Sequence, residues 1–274
     1  MRIYSISKVI AIPIAAILVV ILFLAFSDKN SSIANFIIIP VILLAAIYVT
    51  HPQLDYWYLQ KNPLQLHSSI ISWLQKYSPF YNQLSVEDKQ KFEIRLCLYI
   101  EAREFTSIGV ERHSVPDDIK AIISHVPIQM SFHQKDYLIG DYDRVIIYKH
   151  PFPSPRMKFL HTAEVETEDK VLIFSLEHFI PSMLDRTNMY NIGFHAFAEA
   201  YVHVHKKKDW PELMNVSWNG LLEVSGFTQE HVTQILGYEP KDLLYVLINY
   251  YFNFPSNLER VYPDLKKKFD LIFT

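Results

Sequence analysis

Two uncharged apolar runs at the start of the chain limit its folding choices more than any other feature. Val9 to Phe26 is eighteen residues without a charge, and Ile33 to Thr50 is another eighteen, with no charge before Asp55. Wound as a helix at ~1.5 Å per residue, each run is about long enough to cross ~30 Å of hydrocarbon. A core helix of a soluble protein rarely lacks a polar face for so long. The polar hexapeptide Ser27-Asp28-Lys29-Asn30-Ser31-Ser32 suits a tight turn at the headgroup level. Residues 7–26 and 33–49 are therefore predicted to form a transmembrane hairpin within residues 1–52. A secretory signal peptide fits less well, because residues 10–26 lack a convincing small-x-small cleavage site and a second run comes at once.

The few flanking charges set the expected orientation. Arg2, Lys8 and the amino terminus favour a cytoplasmic N-terminus, and two crossings return the rest of the chain to that side. The expectation is a multi-pass protein of the inner membrane with two helices, the bilayer as its first partner and a cytoplasmic soluble domain. A single cysteine, Cys97, permits no internal disulfide and agrees with a reducing compartment. A net charge of −3, with no basic patch interleaved with aromatics, gives no case for nucleic acid, and no such partner is expected.

Beyond the membrane, residues 53–84 are rich in aromatics and proline and are predicted to form a juxtamembrane helix and loop. Trp57 and Tyr58 stand where an interfacial belt would want them. Ser85-Val86-Glu87-Asp88 resembles a capping box with Asp in the fourth place, followed by Phe92, Leu96, Tyr99 and Ile100 at helical spacing. A second helix is expected from Pro116 to Met130. The period then changes: 143–148 reads as a strand, and 159–165 and 170–176 bracket a turn at Glu166-Thr167-Glu168-Asp169. Helical signals resume at Thr187 and persist to the end. Residues 85–274 are thus predicted to be one α+β domain, and with six glycines in the chain it offers no phosphate-cradling loop.

Chemistry concentrates in one predicted helix. His195, Glu199 and His203 fall at i, i+4 and i+8 on one face of an apolar stretch. Two ligands one turn apart can reach a single zinc ion, whereas His203 lies ~6 Å further along the axis. The alternative is that His195 and Glu199 simply hydrogen-bond each other on a partly buried face, and the spacing leaves both readings open.

The segment Asn191-Ile192-Gly193-Phe194-His195-Ala196-Phe197-Ala198-Glu199 resembles the zinc helix of the Mlc titration factor A family of zinc peptidases, whose pattern runs N-V-V-x-H-E-F-A-H. Ser78-Pro79-Phe80-Tyr81 with Leu84, Val145 to Tyr148 and Lys170 to Ser175 are also similar to that family, in the right order. The resemblance spans about residues 75–260 and implies a zincin-like domain, with zinc held by two helix histidines and a later glutamate. It also places the departures. Ala196 stands at the family's general base, Glu199 at its second histidine and Asn249 at its glutamate, so of the ligand positions His195, Glu199 and Asn249 only the first keeps its family residue.

A methyl group cannot take a proton from zinc-bound water, and a neutral amide is a poor substitute for a carboxylate on zinc. The resemblance therefore implies a pseudopeptidase that holds a protein or peptide partner. Two alternatives stay open: an active zinc or iron enzyme whose further ligands come from Glu164, His161, His203 or Asn249, and a structural subunit of a membrane complex.

Overall fold

The computed structural model describes residues 5–27, 35–62, 64–109 and 114–274. The predicted turn at 28–32 and Arg2 lie outside the described residues. The chain divides into two compact units, residues 1–64 and 65–274.

The first unit is a pair of helices, α1 (Ile6–Ser27) and α2 (Ile38–Lys61), the second preceded by a 3-10 turn at Asn35–Ile37. Both are long and apolar enough to cross a membrane. Their outward faces are hydrocarbon, with Phe23, Phe26, Ile39 and Val49 all exposed. Helix α2 runs twelve residues beyond the apolar segment predicted to end at 49, and it passes through Pro52 without ending. The missing proline N–H would leave the Tyr48 carbonyl unsatisfied, but the ring of the neighbouring His51 donates to that oxygen at 2.7 Å. This extension carries Asp55 to the start of α1. Asp55 accepts from the Ser5 hydroxyl at 2.8 Å and from the Ser7 backbone N–H and hydroxyl at 2.9 Å each. A carboxylate thereby caps the positive end of the facing helix and fixes the register of the pair.

The second unit is α+β. Three helices lead in: α3 (Ser68–Tyr77), the short α4 (Pro79–Gln83) and α5 (Val86–Glu101). The predicted cap of α5 is present, with Ser85 Oγ accepting from the Asp88 N–H at 3.1 Å. The shorter Asp side chain takes the Ser85 hydroxyl instead of reaching back to the backbone as Glu would. Then come β1 (Glu104–Ile108), α6 (Asp117–Met130), β2 (Arg144–Tyr148), β3 (Ala163–Glu166) and β4 (Val171–Ser175). They form one mixed sheet in the order β1-β2-β4-β3, parallel except for the β3–β4 hairpin, whose turn falls at 167–170.

The remaining helices are α7 (Leu176–Leu184), α8 (Ile192–Val204), α9 (Trp218–Ser225), α10 (Gln229–Leu236), α11 (Leu243–Asn253), α12 (Pro255–Val261) and α13 (Pro263–Phe273). Helix α8 is the axle of this unit, packed against β3, α6, α7 and α11. Its residues from Ile192 to Tyr201 are all buried. Phe174 of β4 meets Phe197 of α8 and Phe179 of α7, with ring centroids 5.6 and 5.0 Å away. Gly193 makes that packing possible, because a Cβ there would stand 2.8 Å from the Phe179 ring.

Candidate functional site

Asn191 starts the central helix and holds it in place. Its Oδ1 accepts from the Phe194 N–H at 3.0 Å, and its Nδ2 donates to the Ser182 carbonyl at 3.1 Å, tying α8 to α7. One turn in, His195 is fully buried. Its Nδ1 lies 2.7 Å from the Tyr190 hydroxyl, and its Nε2 is buried with no hydrogen-bond partner among the described residues. The rings of Tyr238 and Tyr245 stand 6.4 and 6.0 Å from the imidazole. Burial, reinforced by the Lys241 charge, depresses His195 to about 3, so the ring is neutral throughout the physiological range.

Glu199, one turn further and 5% exposed, does not bond His195. Its Oε1 accepts from Lys241 Nζ at 2.7 Å, and the lysine side chain is half exposed. Burial raises the Glu199 carboxyl above its ordinary value, and the ammonium offsets part of that rise. Burial and the Glu199 charge push Tyr245 up to about 12, and they drive Tyr238 higher still. The surroundings of the His195–Glu199 face are therefore neutral phenols and one ion pair.

Asn249 comes to the same helix from α11. Its Nδ2 donates to the Asn191 carbonyl at 2.7 Å, and its Oδ1 accepts from Asn253 Nδ2 at 2.9 Å. The amide is thus spent on holding α11 against the start of α8. Ala196, buried beside His195, contributes only a methyl group.

Two further candidate ligands are paired with each other. His161 and Glu164, both buried, meet at 3.1 Å, while His161 Nδ1 faces the Phe159 carbonyl at 3.0 Å. Burial works to raise Glu164, but hydrogen bonds from His161 and Ser154 outweigh it and hold the carboxyl below its ordinary value. The Tyr238 ring, 6.4 Å from His195, is also 6.3 Å from His161. His203 belongs elsewhere, with its Nδ1 3.2 Å from the Tyr142 hydroxyl and 3.5 Å from Lys170 Nζ.

The three aligned positions supply one imidazole, one carboxylate and one amide rather than two imidazoles and a carboxylate. Of the three aligned positions, His195 presents a buried Nε2 with no hydrogen-bond partner among the described residues, Glu199 Oε1 is taken by an ammonium, and Asn249 is held by the Asn191 carbonyl and the Asn253 amide. No three His, Cys, Asp or Glu side chains among the described residues gather as a cation site.

Sequence reasoning missed Lys241, Tyr190, Tyr238 and Tyr245. The local signal was Gly237, which ends α10 at a positive φ of 84°. A Cβ there would stand 2.4 Å from the Leu160 carbonyl. Only glycine lets this turn dock on the strand hairpin, where the Thr162 N–H donates to the Leu236 carbonyl at 3.0 Å. The docked turn delivers Tyr238 and Lys241 to α8.

Neither a model of a known protein family nor a curated protein matches this chain.

Proposed function

We propose that this protein is a membrane-anchored pseudopeptidase, a zincin-like domain without metal chemistry that holds a peptide or protein partner at the cytoplasmic face of the inner membrane. The observation that carries this reading is the Lys241–Glu199 ion pair. In a metallopeptidase of the type the zinc-helix pattern suggests, position 199 faces a dication. Here an ammonium meets a carboxylate at that position, and a single positive charge balances it without a metal. Ala196 beside His195 leaves no proton acceptor where the general base would stand. The mixed sheet with an antiparallel edge strand against α8 supports the zincin-like reading. The two apolar helices and the Lys8 charge support the anchor and its orientation.

A test combines two assays on the full chain in detergent. Protein and peptide substrates incubated with added zinc are expected to stay intact, and a pull-down from solubilised membranes is expected to return a reproducible partner. Zinc-dependent cleavage, or no reproducible partner, counts against the proposal. A second reading, a metalloenzyme with rearranged ligands, draws on the buried and unpartnered Nε2 of His195. Zinc-dependent cleavage that disappears in His195→Ala would establish it.

A further inference from the structure

A second polar cavity, separate from the His195 face, holds an unneutralised arginine. About 280 Å³ of space opens where α4, the end of α6, the α7–α8 connection, the end of α11 and α13 meet. Phe80, Phe252 and Phe273 give it aromatic walls, and Arg186, Gln129, Asn253 and Lys266 are among its polar groups, with Gln83, His133, Tyr251 and Thr274. The Nε and Nη2 atoms of Arg186 are buried and hydrogen-bond to nothing among the described residues. Burial depresses the guanidinium to about 10, which leaves it cationic at neutral pH, and no carboxylate acts on it.

The nearby acids are committed elsewhere. Asp185 accepts from Thr187 and Asn188. Asp270 accepts from Lys266 at 2.7 Å and from the Tyr251 hydroxyl at 2.9 Å, so the Lys266 charge is already neutralised. A buried cation with two unpartnered nitrogen donors favours an anion.

The acceptors narrow the ligand class. Asn253 Nδ2 donates to the backbone and side-chain oxygens of Asn249 at 2.9 Å each, which fixes the amide orientation. Its Oδ1 is therefore an acceptor, and it is buried without a partner among the described residues. One uncompensated positive charge beside a carbonyl acceptor suits a monoanion that also carries an N–H donor, and it disfavours a phosphate dianion. Aromatic walls suit an apolar side chain.

We propose that this cavity binds the terminal carboxylate of an N-acylated apolar amino acid, free or at the end of a peptide, with Arg186 on the carboxylate and Asn253 on the adjacent N–H. The assignment does not depend on the reading of the His195 face.

The test is calorimetric titration of the full chain in detergent with N-acetyl-L-phenylalanine, N-acetyl-L-phenylalaninamide, a short peptide ending in phenylalanine and inorganic phosphate. Both carboxylates are expected to bind and the amide to bind roughly tenfold more weakly or not at all, because it loses the charge-assisted pair. Arg186→Gln is expected to abolish the difference between acid and amide. Removing an unpaired buried cation should also leave its melting temperature, without ligand, equal to or above that of the wild type. Should that variant fail to fold, the comparison in the wild type decides. Equal affinity for acid and amide, no binding of either carboxylate into the millimolar range, or phosphate binding as well as the acid would each overturn the assignment. Binding of the peptide but not the free amino acid, or the reverse, identifies the source.

Discussion

Replacing Lys241 with methionine tests whether the ammonium is what makes a carboxylate tolerable inside α8. Removing one member of a fully buried pair costs ~3–5 kcal/mol. The Lys241 side chain is 48% exposed, so water already screens part of the interaction and about 1–2 kcal/mol is the expected cost at neutral pH. The sign with pH follows from Glu199. Its carboxyl is already raised by burial, and without Lys241 it rises further. A raised acid retains its proton in the folded state after the unfolded chain has lost it, so stability falls as pH climbs from about 4.3 toward the folded value. In the variant that loss extends to higher pH than in the wild type. Below about pH 4 both states hold the proton and the two proteins converge. For a domain of this size, ~2–4 °C of melting temperature accompanies each kcal/mol, so a gap of roughly 2–8 °C should open between acid and neutral pH. Thermal unfolding of the full chain in detergent, followed by near-UV circular dichroism across pH 4–8, measures it. Adding Glu199→Gln to Lys241→Met should close the gap. A difference that does not change with pH, or a variant equal to wild type at pH 8, would refute the reasoning.

The other predictions are quicker to check. Gly193→Ala places a methyl 2.8 Å from the Phe179 ring, so overpacking of ~1–3 kcal/mol outweighs the ~1 kcal/mol gain in helix propensity and the melting temperature falls. Gly237→Ala meets both a left-handed backbone and the Leu160 carbonyl; a loss above about 2 kcal/mol is expected, with Lys241 released from Glu199 and the pH dependence described above appearing in the single variant. Asp55→Ala removes the acceptor of three hydrogen bonds to Ser5 and Ser7, and faster proteolysis of the N-terminal segment at a cost of ~1–3 kcal/mol should report it. Cys97 is 2% exposed, and burial aided by Glu101 and Glu93 pushes its thiol up to about 12, so maleimide should not label it until the protein unfolds. That silence gives a clean background for Glu212→Cys, which a membrane-impermeant maleimide should label only after the cytoplasmic side is opened. Labelling of intact cells would place the domain on the other side.

Much of the fold could be read from periodicity, because the elements that carry it are strongly patterned. The two apolar helices, the helix after Ser85, the helix at 117–130 and the β3–β4 hairpin all have local signals of length, capping or alternation. Strand β1 escaped notice because Glu104–Ile108 is a half-exposed, polar edge strand whose pairing with β2 is set by the register of residues forty positions away. The end of α2 was missed because Pro52 ordinarily stops a helix, and the rescue by His51 is a side-chain detail. At the candidate site, the shared face of His195 and Glu199 was legible from their spacing. What those residues touch was not. Lys241 reaches Glu199 across forty-two residues through a glycine turn, and Asn249 turned out to anchor Asn191, roles that depend on tertiary docking rather than on any local pattern.

Metal content decides most directly whether an ammonium has replaced a dication. The full chain, purified without a histidine tag and exposed to zinc before desalting, would be measured by mass spectrometry beside His195→Ala. Our account predicts no stoichiometric metal in either protein. Near-stoichiometric zinc in the wild type that vanishes in His195→Ala would contradict it.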